Sequence, residues 1–158
     1  MEGVREPIRG RLTDALDADW VAVPTFDLST MTDGSKGEPV RTTPMRKDWL
    51  NATAGTASDL WMTGAPCDYP PLDLIEGDKL LCRDIAPHEL HDRHLCIWRE
   101  ADTERMFIGR YSVVRSESVY IDNAGEYWVG KLSVSLADPT PTIFPIGRIV
   151  ARPIVQVR

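Results

Sequence analysis

Residues 66–82 read PCDYPPLDLIEGDKLLC, a proline-rich turn followed by a Gly77-Asp78 pair that opens a short apolar strand. Glycine tolerates positive φ and aspartate closes turns through its carboxylate, so the pair marks a sharp reversal into the strand. The stretch has the layout of the rear half of an active site. The residue standing in front of that turn, where a nucleophile would be, is therefore the one to identify.

Further strand candidates lie on both sides. LWMT at 60–63 precedes the stretch, and HLCIWRE (94–100), RMFIGRYSVV (105–114), SVYID (118–122), YWVGKLSVSL (127–136) and GRIVARPIVQV (147–157) follow it. Helical periodicity is absent here, and Gly, Pro and Asp-Asn turns separate the segments, with Asp122-Asn123-Ala124-Gly125 a good tight turn. Upstream, VAVPTFDL at 21–28 alternates like a strand and STMTDGSKGEP at 29–39 reads as a loop. PMRKDWLNA at 44–52 suits a short helix with Met45, Trp49 and Leu50 on one side. The expected fold is mostly β, a coiled or barrel-like and mainly antiparallel sheet with one or two short helices. It would occupy residues 21–158 as one domain behind an N-terminal arm or linker remnant at 1–20.

Composition agrees with this class. Of 158 residues, 42% are hydrophobic and 27% charged, which is globular, while 12 prolines and 11 glycines favour turns over long helices. The formal charge of −6 gives no general attraction to a polyanion, leaving a local basic patch as the only electrostatic route to one. No apolar run approaches the roughly 18–20 residues that span a bilayer, and the start MEGVREPIRGRL is charged where a signal peptide would be apolar. A cytoplasmic protein without membrane contact is expected. Cys67, Cys82 and Cys96 are an odd number at no framework spacing, which fits reduced thiols, and Cys82 and Cys96 read as small buried hydrophobes.

Taken in order, these pieces resemble the C-terminal domain of the LexA and phage-repressor family of self-cleaving serine peptidases. VPTFD at 23–27 is similar to the family's opening strand, DGSKG at 33–37 to its cleavage loop, and RKDWL at 46–50 to its helical Asp-Trp-Leu. Residues 61–82 correspond to the nucleophile turn and its Gly-Asp strand, and IGRY, the Asp-Asn turn and IGRIVAR at 146–152 to the remaining landmarks. The resemblance covers roughly residues 21–155.

The resemblance implies a serine activated by a lysine that burial keeps neutral, because a serine hydroxyl is a weak nucleophile until a base takes its proton. Counting forward from Gly64 places the nucleophile on Pro66, and counting backward from Tyr69-Pro70-Pro71 places it on Cys67; neither is serine. The family's Val-Lys-Arg strand maps onto FIGRY, which puts Gly109 at the lysine position. The four lysines, Lys36, Lys47, Lys79 and Lys131, all lie elsewhere. Arg110 cannot replace the base, since a guanidinium stays protonated. In the cleavage loop Asp33 and Gly34 stand where the family has Ala-Gly. The expectation is a catalytically inactive domain, a pseudo-peptidase without cofactor, acting as a dimerisation or regulatory module of a phage-type transcriptional regulator. The resemblance implies a homodimer, or pairing with another repressor-type protein, with DNA contacted only through a domain outside this chain. It places the dimer contact in the C-terminal strands, at Ile149, Val150, Ile154 and Val155; the alternation of Ile, Val and Arg in IGRIVARPIVQVR by itself reads more simply as an edge strand with its arginines facing water.

Two alternatives rest on other residues. Cys67 could serve as a thiolate nucleophile in a self-cleaving peptidase. His88, His91 and His94 could make a metal-responsive regulator, although His-x-x-His-x-x-His forms one face only in a helix and here leads into a strand, where a solvated polar turn is the simpler reading. Without interleaved basic residues, the tryptophans Trp20, Trp49, Trp61, Trp98 and Trp128 read as core and interface residues rather than a base-stacking surface.

Overall fold

The computed structural model of the chain describes residues 19–31, 35–86, 89–100, 103–114, 118–123, 126–129 and 143–153. These fall into two compact units, one ending at Met62 and the other beginning at Thr63. The protein is mostly β, as the alternation of its segments predicts. No helix among the described residues is long and apolar enough to cross a membrane.

In the first unit, β1 (Trp20–Thr25) pairs antiparallel with β2 (Arg41–Arg46) over its whole length, from Trp20 opposite Arg46 to Thr25 opposite Arg41. Its other edge meets β3 (Leu60–Gly64) in parallel at Thr25 and Met62, and the Phe26 N–H donates to the Met62 carbonyl at 2.8 Å. Helix α1 (Lys47–Ala54) begins directly after β2. It therefore starts three residues later than the hydrophobic wheel suggests, and Met45 belongs to β2, where the ladder to Val21 holds it extended. The Asp48 carboxylate accepts the Trp49 N–H at 2.8 Å in the first turn, which suits the positive end of the helix. Gly55, at φ 76°, ends the helix and donates its N–H to the Asn51 carbonyl at 3.0 Å. Leu50 is the buried residue of α1, while Trp49 is 39% exposed and is not a core residue.

The second unit carries β4 (Lys79–Arg83), β5 (Leu95–Glu100), β6 (Met106–Val114), β7 (Ser118–Asn123), β8 (Glu126–Val129) and β9 (Ile143–Ala151). Their order is β4-β9-β5-β6-β7-β8, antiparallel at each described pairing. β7 and β8 form a hairpin with Asn123 opposite Glu126, where the Asp-Asn signal predicts one. β9 differs from expectation. It lies between β4 and β5 in the strand order rather than at the end of the sheet, pairing with β4 at Arg148, Ile149 and Ala151 and with β5 from Ile143 to Arg148, so the two described ladders overlap only at Arg148. Two irregularities accommodate it. On the β5 side Ile146 is extra between Gly147 and Pro145, a bulge beside a residue that has no N–H to give the ladder. On the β4 side Val150 is extra between Ile149 and Ala151.

The core of this unit follows from those neighbours. Leu80, Leu81 and Cys82 of β4 are fully buried, and so are Cys96, Ile97 and Trp98 of β5. Such unbroken apolar runs are expected of strands covered on both faces. On one face Cys96 and Trp98 pack with Leu90, Phe107, Tyr111 and Ile143. The Trp98 indole N–H, with no access to water, donates to the Gly109 carbonyl at 2.9 Å, and the ring stacks on Tyr111 at 6.0 Å between centroids.

Candidate functional site

The turn at 64–78 is tied together by its own backbone and two carboxylates. The Ala65 N–H donates to the Asp78 carbonyl at 2.7 Å and the Gly77 N–H to the Ala65 carbonyl at 2.9 Å. The Asp78 carboxylate accepts the Ile75 N–H at 2.9 Å and stands 3.4 Å from the Arg152 guanidinium, while Asp68 accepts the Glu76 N–H at 2.8 Å. Gly77 has φ 94°, and this left-handed residue lets the chain reverse into β4. The Gly-Asp pair is thus a structural clasp.

Of the two residues that compete for the nucleophile position, Cys67 reaches β6: its Sγ accepts the Ile108 N–H at 3.4 Å. Gly109, expected from the resemblance to stand at the lysine position, is the next residue along. It stands opposite Cys96 in the ladder and between Phe107 and Tyr111, so strand alternation puts it on the face where those residues and Cys67 pack together. A side chain at 109 would point into a region lined by the Trp98 and Tyr111 rings. Burial pushes the Cys67 thiol above its ordinary value, with the Ile108 hydrogen bond and Arg105 opposing the shift and Asp68 and Glu76 adding to it. At neutral pH the sulfur is a protonated thiol packed against apolar neighbours. Asp33 and Gly34 of the proposed cleavage loop lie outside the described residues.

His91 and His94 are bound to each other. The His91 N–H donates to His94 Nδ1 at 3.2 Å, the His94 N–H donates back to the His91 carbonyl at 3.1 Å, and the rings meet edge to face at 5.3 Å. The backbone bond occupies one of the two nitrogens through which His94 could bind a metal. Burial lowers the His94 pKa, and Arg148 and His91 lower it further. Among the described residues no three His, Cys, Asp or Glu side chains gather as a metal site; His88 lies outside them.

A second feature is a local basic patch built from residues that no motif in the sequence marks. A hollow of about 370 Å³ is floored by Leu74, Leu80, Leu95, Ile149 and Val150 and rimmed by Arg93, Arg110, Arg148 and Arg152, with His94 beside them. Two of the residues expected at a dimer contact, Ile149 and Val150, thus face this hollow, and Ile154 and Val155 lie outside the described residues. Arg148 and His94 also border a neighbouring hollow of about 390 Å³ that holds Asp84 and Glu89. The arginines come together because β9 lies between β4 and β5. No local spacing of residues 93, 110, 148 and 152 signals it.

No family model and no curated protein matches the chain.

Proposed function

We propose that the chain is a catalytically inactive domain of the LexA and phage-repressor type, a dimerisation or regulatory module of a phage-type transcriptional regulator. The observation that carries this reading is the seat of Cys67 at Ile108, directly before Gly109. A side chain from the clasped turn reaches the strand that would hold the base, as a nucleophile and its base must meet, although the two lie far apart in sequence. At that meeting point stand a protonated thiol and a glycine, with the Trp98 indole bonded to the Gly109 carbonyl and stacked on Tyr111. A protonated thiol seated against the apolar cluster of Trp98, Phe107 and Tyr111 supports a task of association rather than cleavage.

Association is the part to measure. Light scattering on the purified chain at micromolar concentration is expected to give twice the monomer mass, and a monomer would remove the reading. The described pairing at this point is to β4 alone, through Cys82 opposite Ile149 with Val150 bulged, and a contact there would draw on those two side chains. The reading with Cys67 as a nucleophile predicts scission near Asp33-Gly34 at raised pH that Cys67→Ala abolishes. An intact mass after prolonged alkaline incubation is the outcome the inactive centre requires.

A further inference from the structure

We infer that the arginine-rimmed hollow between β4, β9 and the start of β5 binds a small phosphate-bearing ligand, a phosphomonoester dianion of up to nucleotide size. Four guanidinium groups border one space, and among the described residues Arg152 alone of the four has a carboxylate at ion-pair distance, Asp78 at 3.4 Å. Among the described residues no carboxylate stands within that distance of Arg93, Arg110 or Arg148. Asp84 and Glu89 line the neighbouring hollow, which Arg148 also borders. Arg110 and Arg148 are half-buried, and partly desolvated charges of one sign without a counter-charge are unfavourable unless an anion completes them.

The rim is also held in place. Arg110 Nη1 donates to the Arg93 carbonyl at 2.8 Å, and Arg152 Nη1 donates to the Leu72 and Asp73 carbonyls at 3.2 Å each. Arg93 has φ 74°, a left-handed conformation costly for a residue with a side chain, and its N–H is fixed to the Tyr111 carbonyl at 2.6 Å. These bonds use only part of each guanidinium, whose planar fork of five donors matches phosphate oxygens. Three uncompensated charges suit a dianion better than a single carboxylate. The apolar floor and a volume within the usual range of small-molecule sites leave room for the organic part of a phosphate ester. The local excess of positive charge stands out on a chain whose net charge is −6. This inference does not depend on the repressor-type reading.

The test is calorimetric titration of the full chain at low salt with inorganic phosphate, adenosine 5′-monophosphate and uncharged adenosine. Phosphate and the monophosphate are expected to bind once per chain and to compete, and adenosine not to bind. A monophosphate affinity several-fold above that of phosphate identifies an organic ester as the ligand type, and equal affinities identify free phosphate. Arg148→Gln and Arg110→Gln are each expected to weaken binding at least tenfold, whereas Arg41→Gln, an equal charge change on β2, leaves it unchanged. Thermal unfolding without ligand checks that the variants fold, and the exposed Arg93→Gln supplies the same comparison if the half-buried positions do not tolerate change. Absence of saturable binding at millimolar probe overturns the inference, as does binding that the rim variants leave intact. Retention of a short DNA duplex without binding of either small probe also overturns it, because the rim would then be a backbone contact.

Discussion

The sulfur of Cys67 accepts the backbone N–H of Ile108 at 3.4 Å across 41 residues of sequence, joining the clasped turn to the middle of β6. Burial keeps that sulfur protonated, and it packs as a small apolar group. Cys67→Ala removes the acceptor and part of a packed volume, for a loss of about 1 kcal/mol and a fall in Tm of roughly 2–4 °C. Cys67→Ser supplies the hydroxyl without a base, so the chain is expected to stay uncut at pH 9 by intact mass; any scission would show that a base has been overlooked. In the native protein Cys67 is the thiol that reacts with iodoacetamide, because Cys82 and Cys96 are fully buried and burial pushes the Cys96 thiol up to about 12. Rapid addition of two or three labels below pH 8 would contradict this placement.

The strands of the second unit were legible because alternation and turn residues are local signals. HLCIWRE, RMFIGRYSVV and SVYID each become a strand with ends shifted by a residue or so. The partner of β9 was not legible: an apolar-arginine alternation suits an edge and an interior strand alike, and only the distant β4 and β5 decide between them. Counting along the chain likewise leaves Pro66 and Cys67 both open, and the hydrogen bond from Ile108 to Cys67 is a long-range contact that no local spacing signals. Met45 shows a local signal being overridden, its place on a helical wheel yielding to the ladder with β1.

His94 connects the two hollows of the second unit, and its protonation senses both. Burial lowers its pKa first, then the positive charge of Arg148 and then His91; Asp84 and Glu89 face it across the second hollow. An NMR titration is expected to give a midpoint below the ordinary value of about 6.5, and Arg148→Gln to move it upward. The sign for stability follows. With the folded-state value depressed, the unfolded chain takes up the proton first, so stability is full above about pH 6.5 and is lost as pH falls toward the folded-state value. A midpoint unchanged by Arg148→Gln would show that the guanidinium does not face the ring.

Gly64 and Gly77 separate steric crowding from backbone strain. A Cβ at Gly64 meets the Gly77 carbonyl oxygen at 3.5 Å, an ordinary contact, whereas one at Gly77 meets nothing within 4 Å but sits on a backbone at φ 94°. Gly77→Ala is therefore expected to cost about 1–2 kcal/mol through strain alone, and Gly64→Ala well under about 1 kcal/mol. Chemical denaturation of both variants compares them directly. Equal losses would mean that the turn into β4 does not require the left-handed residue.

The interior position of β9 makes its removal a decisive experiment. An edge strand can be trimmed while the remaining sheet keeps its ladder, but β9 supplies hydrogen-bonding partners to β4 on one side and β5 on the other, and its Ile143 is fully buried with Trp98 and Phe107. A chain ending at residue 142 would leave Cys82 and Ile97 without their partners. It is expected to lose cooperative unfolding and the near-ultraviolet circular dichroism of the packed Trp98 ring. Ile143→Ala tests the packing alone and is expected to cost about 2–4 kcal/mol, with the fold retained. A truncated chain that keeps a sharp thermal transition would show that β4 and β5 stand without β9 between them. The arginine-rimmed hollow would then have no fixed wall, because Arg148 and Arg152 reach it only from this strand and the residue that follows it.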